Sequence, residues 1–321
     1  MSSAAQRKVL VQDVAVVGTG VIGRSWIVVF ARAGCRTRAY DSNPKQLQKA
    51  LEWLEQDLEF DRQDGFLSAK KVAAIRGRIT SHRDLGEALR DVQYVQENGP
   101  EKIEVKRTLF AALDRLAAPV TILASSTSGF DMTEIAAGLK GAQRCIVAHP
   151  VNPPHLIPVV EVLPGKETDP RVVKRTSTFL KSVGQKPVLM NRYVKDFLLN
   201  RMQAALLREA VQLVEHGVAD VDAVDTVIHD GIGLRWALMG PFGVANTNAD
   251  GGVREYFTRY RDAYIDGMND LYPTPSFDDT MLERLGRATD KMVGRVPRAK
   301  IRRWRDRMIR EIRSLKEEDR P

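Results

Sequence analysis

The stretch from Val14 to Asp41 constrains this chain more than any other. Val14-Ala15-Val16-Val17 runs straight into Gly18, Gly20 and Gly23. This is the pattern of a buried strand turning sharply into a helix with little bulk at its start. Gly18 permits the tight turn, Gly20 lets a pyrophosphate approach the backbone, and Gly23 lets the helix lie against the strand. The free N–H groups of that first turn, Val21 and Ile22 among them, and the helix dipole favour an anion. Ile22, Trp26, Val29 and Phe30 give the helix one apolar face, Gly34 stops it, and a second strand ends at Asp41. A carboxylate about twenty residues beyond the turn meets a ribose hydroxyl and repels the additional phosphate of NADP. The expected cofactor is therefore NAD.

A length of 321 residues suggests two domains of ordinary size. The apolar runs are strand-sized and Met1–Lys8 is a polar lead-in, so neither a signal peptide nor a membrane span is expected. Cys35 and Cys145 are the only cysteines, which argues for packing roles, no metal site and a cytoplasmic setting. The net charge of +8 is concentrated in the last thirty residues, around Trp304. There Ile301, Trp304, Met308, Ile312 and Leu315 form one helical stripe, so the basic residues read as solvated faces of a terminal helix packed on the body or a second subunit. No nucleic-acid motif accompanies them.

The pattern predicts a helix over Pro44–Phe60 with Leu47, Leu51, Leu54 and Leu58 on one face, and a polar helical excursion to Gly77. Strands follow at Arg78–Thr80, Asp91–Val95, Val120–Ala124, Cys145–Ala148, Val159–Val162 and Pro187–Met190, with helices at Lys102–Leu116, Met132–Leu139 and Val172–Val183. Such alternation predicts a Rossmann-type α/β fold, doubly wound around a mainly parallel sheet. From Asp196 to His216 a long helix, capped at Asp196 and stopped by Gly217, opens a smaller all-α domain. The boundary is drawn near Tyr193, giving domains 1–192 and 193–321.

Polar groups just past the carboxyl ends of such strands meet a ligand in the crevice there. Asp41, Glu97, Ser128 and His149 qualify. His149 ends an apolar strand and precedes Pro150-Val151-Asn152-Pro153-Pro154, a stiff backbone, with Glu161 in reach on the next strand. An imidazole backed by a carboxylate beside a nicotinamide is a general acid/base unit; a satisfied strand-end histidine is the plain alternative. A metal site from His149, His155 and Glu161 matches no compact ligand spacing, and His155 is a weaker candidate base. Ser128 either bonds a substrate oxygen or caps the helix after it. Asn200 lies on a largely apolar helix, where its amide needs a partner.

Gly18-x-Gly20-x-x-Gly23, Ser125-Ser126-Thr127-Ser128, His149-Pro150-Val151-Asn152-Pro153-Pro154, Glu161 and Asp196-Phe197-Leu198-Leu199-Asn200-Arg201 together resemble the 3-hydroxyacyl-CoA dehydrogenase superfamily, over nearly the whole chain. Gly231-Ile232-Gly233-Leu234-Arg235-Trp236-Ala237 and Gly240-Pro241 are most similar to its lambda-crystallin branch. The resemblance implies a nucleotide-binding domain followed by a helical, dimerising substrate domain. It implies His149 as base, Glu161 as its partner, and Ser128 and Asn200 on the reacting oxygen. It also places Glu97 and Lys102 near the cofactor. The implied reaction is oxidation of the 3-hydroxyl of a small, L-gulonate-like hydroxy acid by NAD. A 3-hydroxyacyl-CoA, carnitine, or a non-catalytic crystallin-like role are the alternatives. Where acyl-CoA members carry a Gly-Tyr-Pro-Met-Gly-Pro type sequence, this chain carries Arg235, which can clamp a free carboxylate bidentately or form a salt bridge.

Overall fold

A computed structural model describes residues 10–318, so the polar lead-in Met1–Lys8 lies outside the described residues. The chain divides into two compact units, one ending at Asn200 and the other beginning at Arg201.

The first unit is built on eight strands: β1 (Asp13–Val17), β2 (Arg36–Tyr40), β3 (Ile79–His82), β4 (Tyr94–Glu97), β5 (Ile122–Ser125), β6 (Cys145–Pro150), β7 (Val159–Pro164) and β8 (Lys186–Leu189). Their order is β3-β2-β1-β4-β5-β6-β7-β8, and every pairing is parallel except β6 with β7. The helices are α1 (Val21–Ala33), α2 (Pro44–Gln63), α3 (Ala69–Arg76), α4 (Leu85–Leu89), α5 (Ile103–Leu116), α6 (Met132–Ile135) and α7 (Pro170–Ser182). The strand order reverses between β1 and β4, which opens the ligand crevice at the end of β1.

Packing follows from the sequence pattern. Strands covered on both faces must be apolar on both, and Val14 to Val17 are at most 2% exposed. Over one face, Trp26 stacks on Phe30 (centroids 5.0 Å apart), and Phe30 stacks on Phe179 of α7 (5.6 Å). Each such ring contributes roughly 2–3 kcal/mol by burial. Gly34 ends α1 in the left-handed conformation (φ 109°), as its position predicts.

Several boundaries differ from the sequence pattern. Asp91 takes φ 60° and begins a turn, so β4 starts at Tyr94. The segment at Met132 is helical only to Ile135, after which the chain turns at Gly138 (φ 78°). His149 lies within β6, paired with Glu161, rather than capping it. Asp196 and Phe197 take φ 63° and 51°, so Asp196 does not cap the long helix, which begins at Leu199.

Among the described residues the second unit holds helices and connecting loops but no strand. It continues α8 (Leu199–Glu215) with α9 (Val221–Thr226), a π-helical turn over Val227–Ile232, α10 (Gly233–Leu238), α11 (Pro241–Thr247), α12 (Gly252–Arg259), α13 (Arg261–Asn269), α14 (Asp279–Val293) and α15 (Arg298–Glu318). The stripe expected to pack on α15 is largely open: Trp304, Ile312 and Leu315 are 59, 43 and 61% exposed. None of these helices is long and apolar enough to cross a membrane.

Candidate active site

The glycine turn has the form an anion cradle requires. Gly18 adopts φ 86°, and a Cβ there would come 2.7 Å from the Asn98 carbonyl oxygen. At Gly23 a Cβ would overlap the Gly18 carbonyl, whereas the space around Gly20 is open. Gly20 offers α1 no side-chain cap and the first turn holds no acidic residue, so the N–H groups of Val21 and Ile22 are left for a phosphate. Asp41, just past β2, accepts from Thr19 N (2.7 Å) and Thr19 Oγ1 (2.9 Å) through one oxygen and from Asn43 N (2.9 Å) through the other. A dinucleotide therefore fits the residues present.

Across the crevice, antiparallel β6 and β7 bring His149 and Glu161 into direct register. His149 Nδ1 lies 2.7 Å from Glu161 Oε2, and the two residues are 7 and 2% exposed. The second carboxylate oxygen accepts from Leu198 N (2.8 Å) and Leu199 N (2.9 Å). Glu161 thus supplies the cap that Asp196 was expected to give α8. Burial pushes the Glu161 pKa up, but the His149 and main-chain hydrogen bonds outweigh it and hold the group below its ordinary value. An ionised Glu161 accepts from Nδ1–H, which leaves the lone pair of neutral His149 on Nε2.

Ser128 and Asn200 join this group through the main chain. Asn200, one residue past the Glu161-capped N–H groups, reaches the Ser128 carbonyl with Nδ2 at 3.5 Å. Ser128 itself is held by Glu101, whose Oε1 accepts from Ser128 N (2.9 Å), Ser128 Oγ (3.2 Å), Gly129 N (3.2 Å) and Thr127 Oγ1 (2.6 Å). With its proton on Glu101, the Ser128 hydroxyl keeps lone pairs for a substrate O–H. Burial raises the Glu101 pKa, but Thr127, Lys106 and Ser128 together set it below the ordinary value.

Glu97 and Lys102 stand differently from the other expected cofactor residues. Glu97 is fully buried and already engaged by Lys106 Nζ (3.1 Å), Ser125 Oγ (2.5 Å) and Gly99 N (2.5 Å). Lys102 is exposed at the start of α5. The buried lysine is Lys106, 1% exposed, which also lies 3.3 Å from Glu101. Sequence reasoning passed over Glu101 and Lys106. The signal was a lysine on the apolar stripe of α5, in line with Phe110 and Leu113.

His155 lies away from the His149 pair, edge-on to Trp53 (5.4 Å) and 3.6 Å from Asp57. No group of three or more His, Cys, Asp or Glu side chains able to hold a metal ion occurs among the described residues. Arg235 is exposed on α10, in the helical unit.

The profile of the 3-hydroxyacyl-CoA dehydrogenase NAD binding domain matches residues 13–193, and that of the family's C-terminal domain matches residues 197–295. Lambda-crystallin of Oryctolagus cuniculus is 36% identical over 312 residues, covering 96% of this chain and 98% of the relative. L-carnitine dehydrogenase of Oceanobacillus iheyensis is 38% identical over 231 residues, 72% of this chain and 74% of the relative. Among solved structures, 5-formyl-3-hydroxy-2-methylpyridine 4-carboxylic acid 5-dehydrogenase, an NAD+-dependent dismutase, superposes with a TM-score of 0.82 at 28% identity, covering 97% of this chain and all of that one. The chain belongs to the 3-hydroxyacyl-CoA dehydrogenase family, and the cofactor for which its glycine turn is formed is NAD.

Proposed function

We propose that this protein oxidises the 3-hydroxyl of a small free hydroxy acid, L-gulonate or a close analogue, to the 3-keto acid. The buried His149–Glu161 pair carries the proposal. NAD, when bound, accepts the hydride from the reacting carbon. His149 Nε2 takes the hydroxyl proton, and Glu161 holds the tautomer and stabilises the imidazolium that forms. Ser128 and Asn200 hold the reacting oxygen. Gly18, Gly20, Val21, Ile22, Gly23 and Asp41 bind the dinucleotide, with Lys102 exposed near it and Glu97 acting from the interior, where Lys106 and Ser125 hold it.

Two relatives named for free carboxylic acids, L-carnitine and a pyridine carboxylic acid, support a free acid, and relatives named for 3-hydroxyacyl-CoA thioesters support the alternative. Arg235 supplies a matching clamp, since a guanidinium meets a carboxylate bidentately. Residues from 193 onward form the substrate and dimerisation domain. The open apolar side chains there, Leu238 (73%), Phe242 (72%) and Trp304 (59%), suit a second copy of the chain. Cys35 and Cys145 are free and buried, which suits a cytoplasmic setting.

The test is NADH formation across a panel of free 3-hydroxy acids, carnitine and 3-hydroxyacyl-CoA thioesters. Turnover is expected with a free acid and to fall sharply with thioesters. Preference for a thioester overturns the substrate assignment, and flat absorbance throughout, with NAD bound, overturns the enzymatic reading. Arg235→Ala is expected to raise KM for the preferred acid about tenfold or more. An unchanged KM removes the clamp.

A further inference from the structure

A buried string of side-chain hydrogen bonds runs between the glycine turn and the strand carrying His149, and the proposed chemistry does not use it. Gln96, fully buried on β4, accepts from the Tyr94 hydroxyl (2.8 Å) and donates to Ser126 Oγ (2.7 Å) and to the Ala148 carbonyl (3.1 Å). Ser126 Oγ also accepts from the Trp26 indole N–H on α1 (3.2 Å) and donates to Asn98 Oδ1 (2.7 Å). Asn98 Nδ2 donates to the carbonyls of Gln96 (2.9 Å) and Val17 (3.3 Å). Asn98 also donates its main-chain N–H to Val17 O (2.7 Å), and its own carbonyl closes the space beside Gly18. One end of the string is therefore the glycine turn. The other is the residue before His149.

Every proton in it has one place. Main-chain carbonyls only accept, so the amide nitrogen of Asn98 must face Val17 and Gln96, and that of Gln96 must face Ala148. This turns Asn98 Oδ1 towards Ser126, whose hydroxyl must donate there and keep its lone pairs for Gln96 and Trp26. Tyr94 is the terminal donor, and burial raises its pKa, so it keeps its proton. β5 ends at Ser125, opposite Val147, and Gln96 reaches past that end to hold the next carbonyl of β6. An apolar side chain would fill the same volume without fixing any of this.

We infer that Gln96 and Ser126 are positioning residues that fix the end of β6, and His149 with it, relative to the glycine turn that holds the cofactor. The inference rests on the proposed role of His149 as base. Misplacing reacting groups by about 1 Å lowers a rate by roughly a hundredfold, so a rigid link between the two sites bears directly on turnover.

The test compares Gln96→Leu, Ser126→Ala and Ser126→Thr with the native enzyme, using the preferred acid and the same acid deuterated at the reacting carbon. The Leu and Ala variants are expected to lower kcat between about ten- and a hundredfold with little change in KM for NAD, and to show a larger deuterium isotope effect on kcat. Ser126→Thr, which keeps the hydroxyl, is expected to recover most of the rate. Unchanged kcat and isotope effect in both disruptive variants overturn the inference, whatever happens to melting temperature. Should those variants fail to fold, Trp26→Phe removes one donor only and is expected to lower kcat by a smaller factor with the same larger isotope effect. Native kcat and isotope effect in Trp26→Phe overturn the inference. A second readout needs no substrate. NAD saturation is expected to slow hydrogen exchange of peptides spanning 145–152 in the native protein and to lose that effect in Ser126→Ala. Retained slowing overturns the inference even if the native protein turns over no acid, an outcome that by itself would remove only the proposed activity.

Discussion

In the α/β unit Trp26, Phe30, Tyr94, Phe110 and Phe179 are all at most 1% exposed, whereas in the helical unit Trp236, Phe242 and Trp304 are 43, 72 and 59% exposed. The α/β unit closes its apolar faces with its own helices and pairs the proposed proton-transfer groups, His149 and Glu161, across β6 and β7 inside that frame. The helical unit forms regular helices with strong apolar stripes but covers few of them. Helices of this kind draw stability from packing on a partner. The contrast separates rigid placement of the proposed chemistry in one unit from apolar side chains left open in the other.

Substitutions in the α/β unit are expected to have the largest effects. Phe30→Ala, which empties the centre of the stacked rings, is expected to cost about 3–5 kcal/mol of unfolding free energy, measured by urea denaturation. Lys106→Met is expected to cost about 3–5 kcal/mol by leaving Glu97 buried and uncompensated, and adding Glu97→Gln is expected to recover much of the loss. If Lys106→Met alone is neutral, the buried carboxylate network is not what holds β4 to α5.

A smaller effect concerns acid. Glu161 has a folded pKa below its ordinary value, so its contribution to stability is complete above the ordinary carboxylate range and is lost as pH falls through the lowered value. Urea midpoints measured against pH are expected to fall less steeply in acid for Glu161→Gln than for the native chain. Identical slopes would mean that the hydrogen bonds to Leu198 and Leu199 do not tie the carboxylate to the fold.

The smallest effect on the single chain lies in the helical unit. Trp304→Ala is expected to change unfolding free energy by no more than about 0.5 kcal/mol at concentrations where the chain is monomeric. It is expected to weaken self-association measured by analytical ultracentrifugation. Unaltered or absent self-association would exclude the α15 stripe as a contact between copies and narrow the contrast between the units.

Local signals were legible in the sequence. The glycine turn with Asp41, and His149 with Glu161 in reach, are read from neighbouring residues, whereas the roles proposed for Ser128 and Asn200 come from the family resemblance. What escaped was non-local. The cap on α8 comes from Glu161, 37 and 38 residues before the N–H groups it binds, so Asp196 looked like the cap. Lys106 was passed over because a lysine on a helix reads as solvated until the helix face is known. The chain pairs it with Glu97 in the interior, while the neighbouring Lys102 faces outward. On α15, periodicity identified the apolar stripe correctly, but no pattern within one chain says what covers it.

The most direct measurement is the rate of NADH formation by His149→Ala on the preferred hydroxy acid, alongside NAD affinity from cofactor fluorescence. Loss of the base is expected to lower kcat by about two to four orders of magnitude while NAD binding stays close to native. Turnover retained at the native rate in that variant would contradict the assignment of His149 as the proton acceptor, and with it the mechanism built on the His149–Glu161 pair.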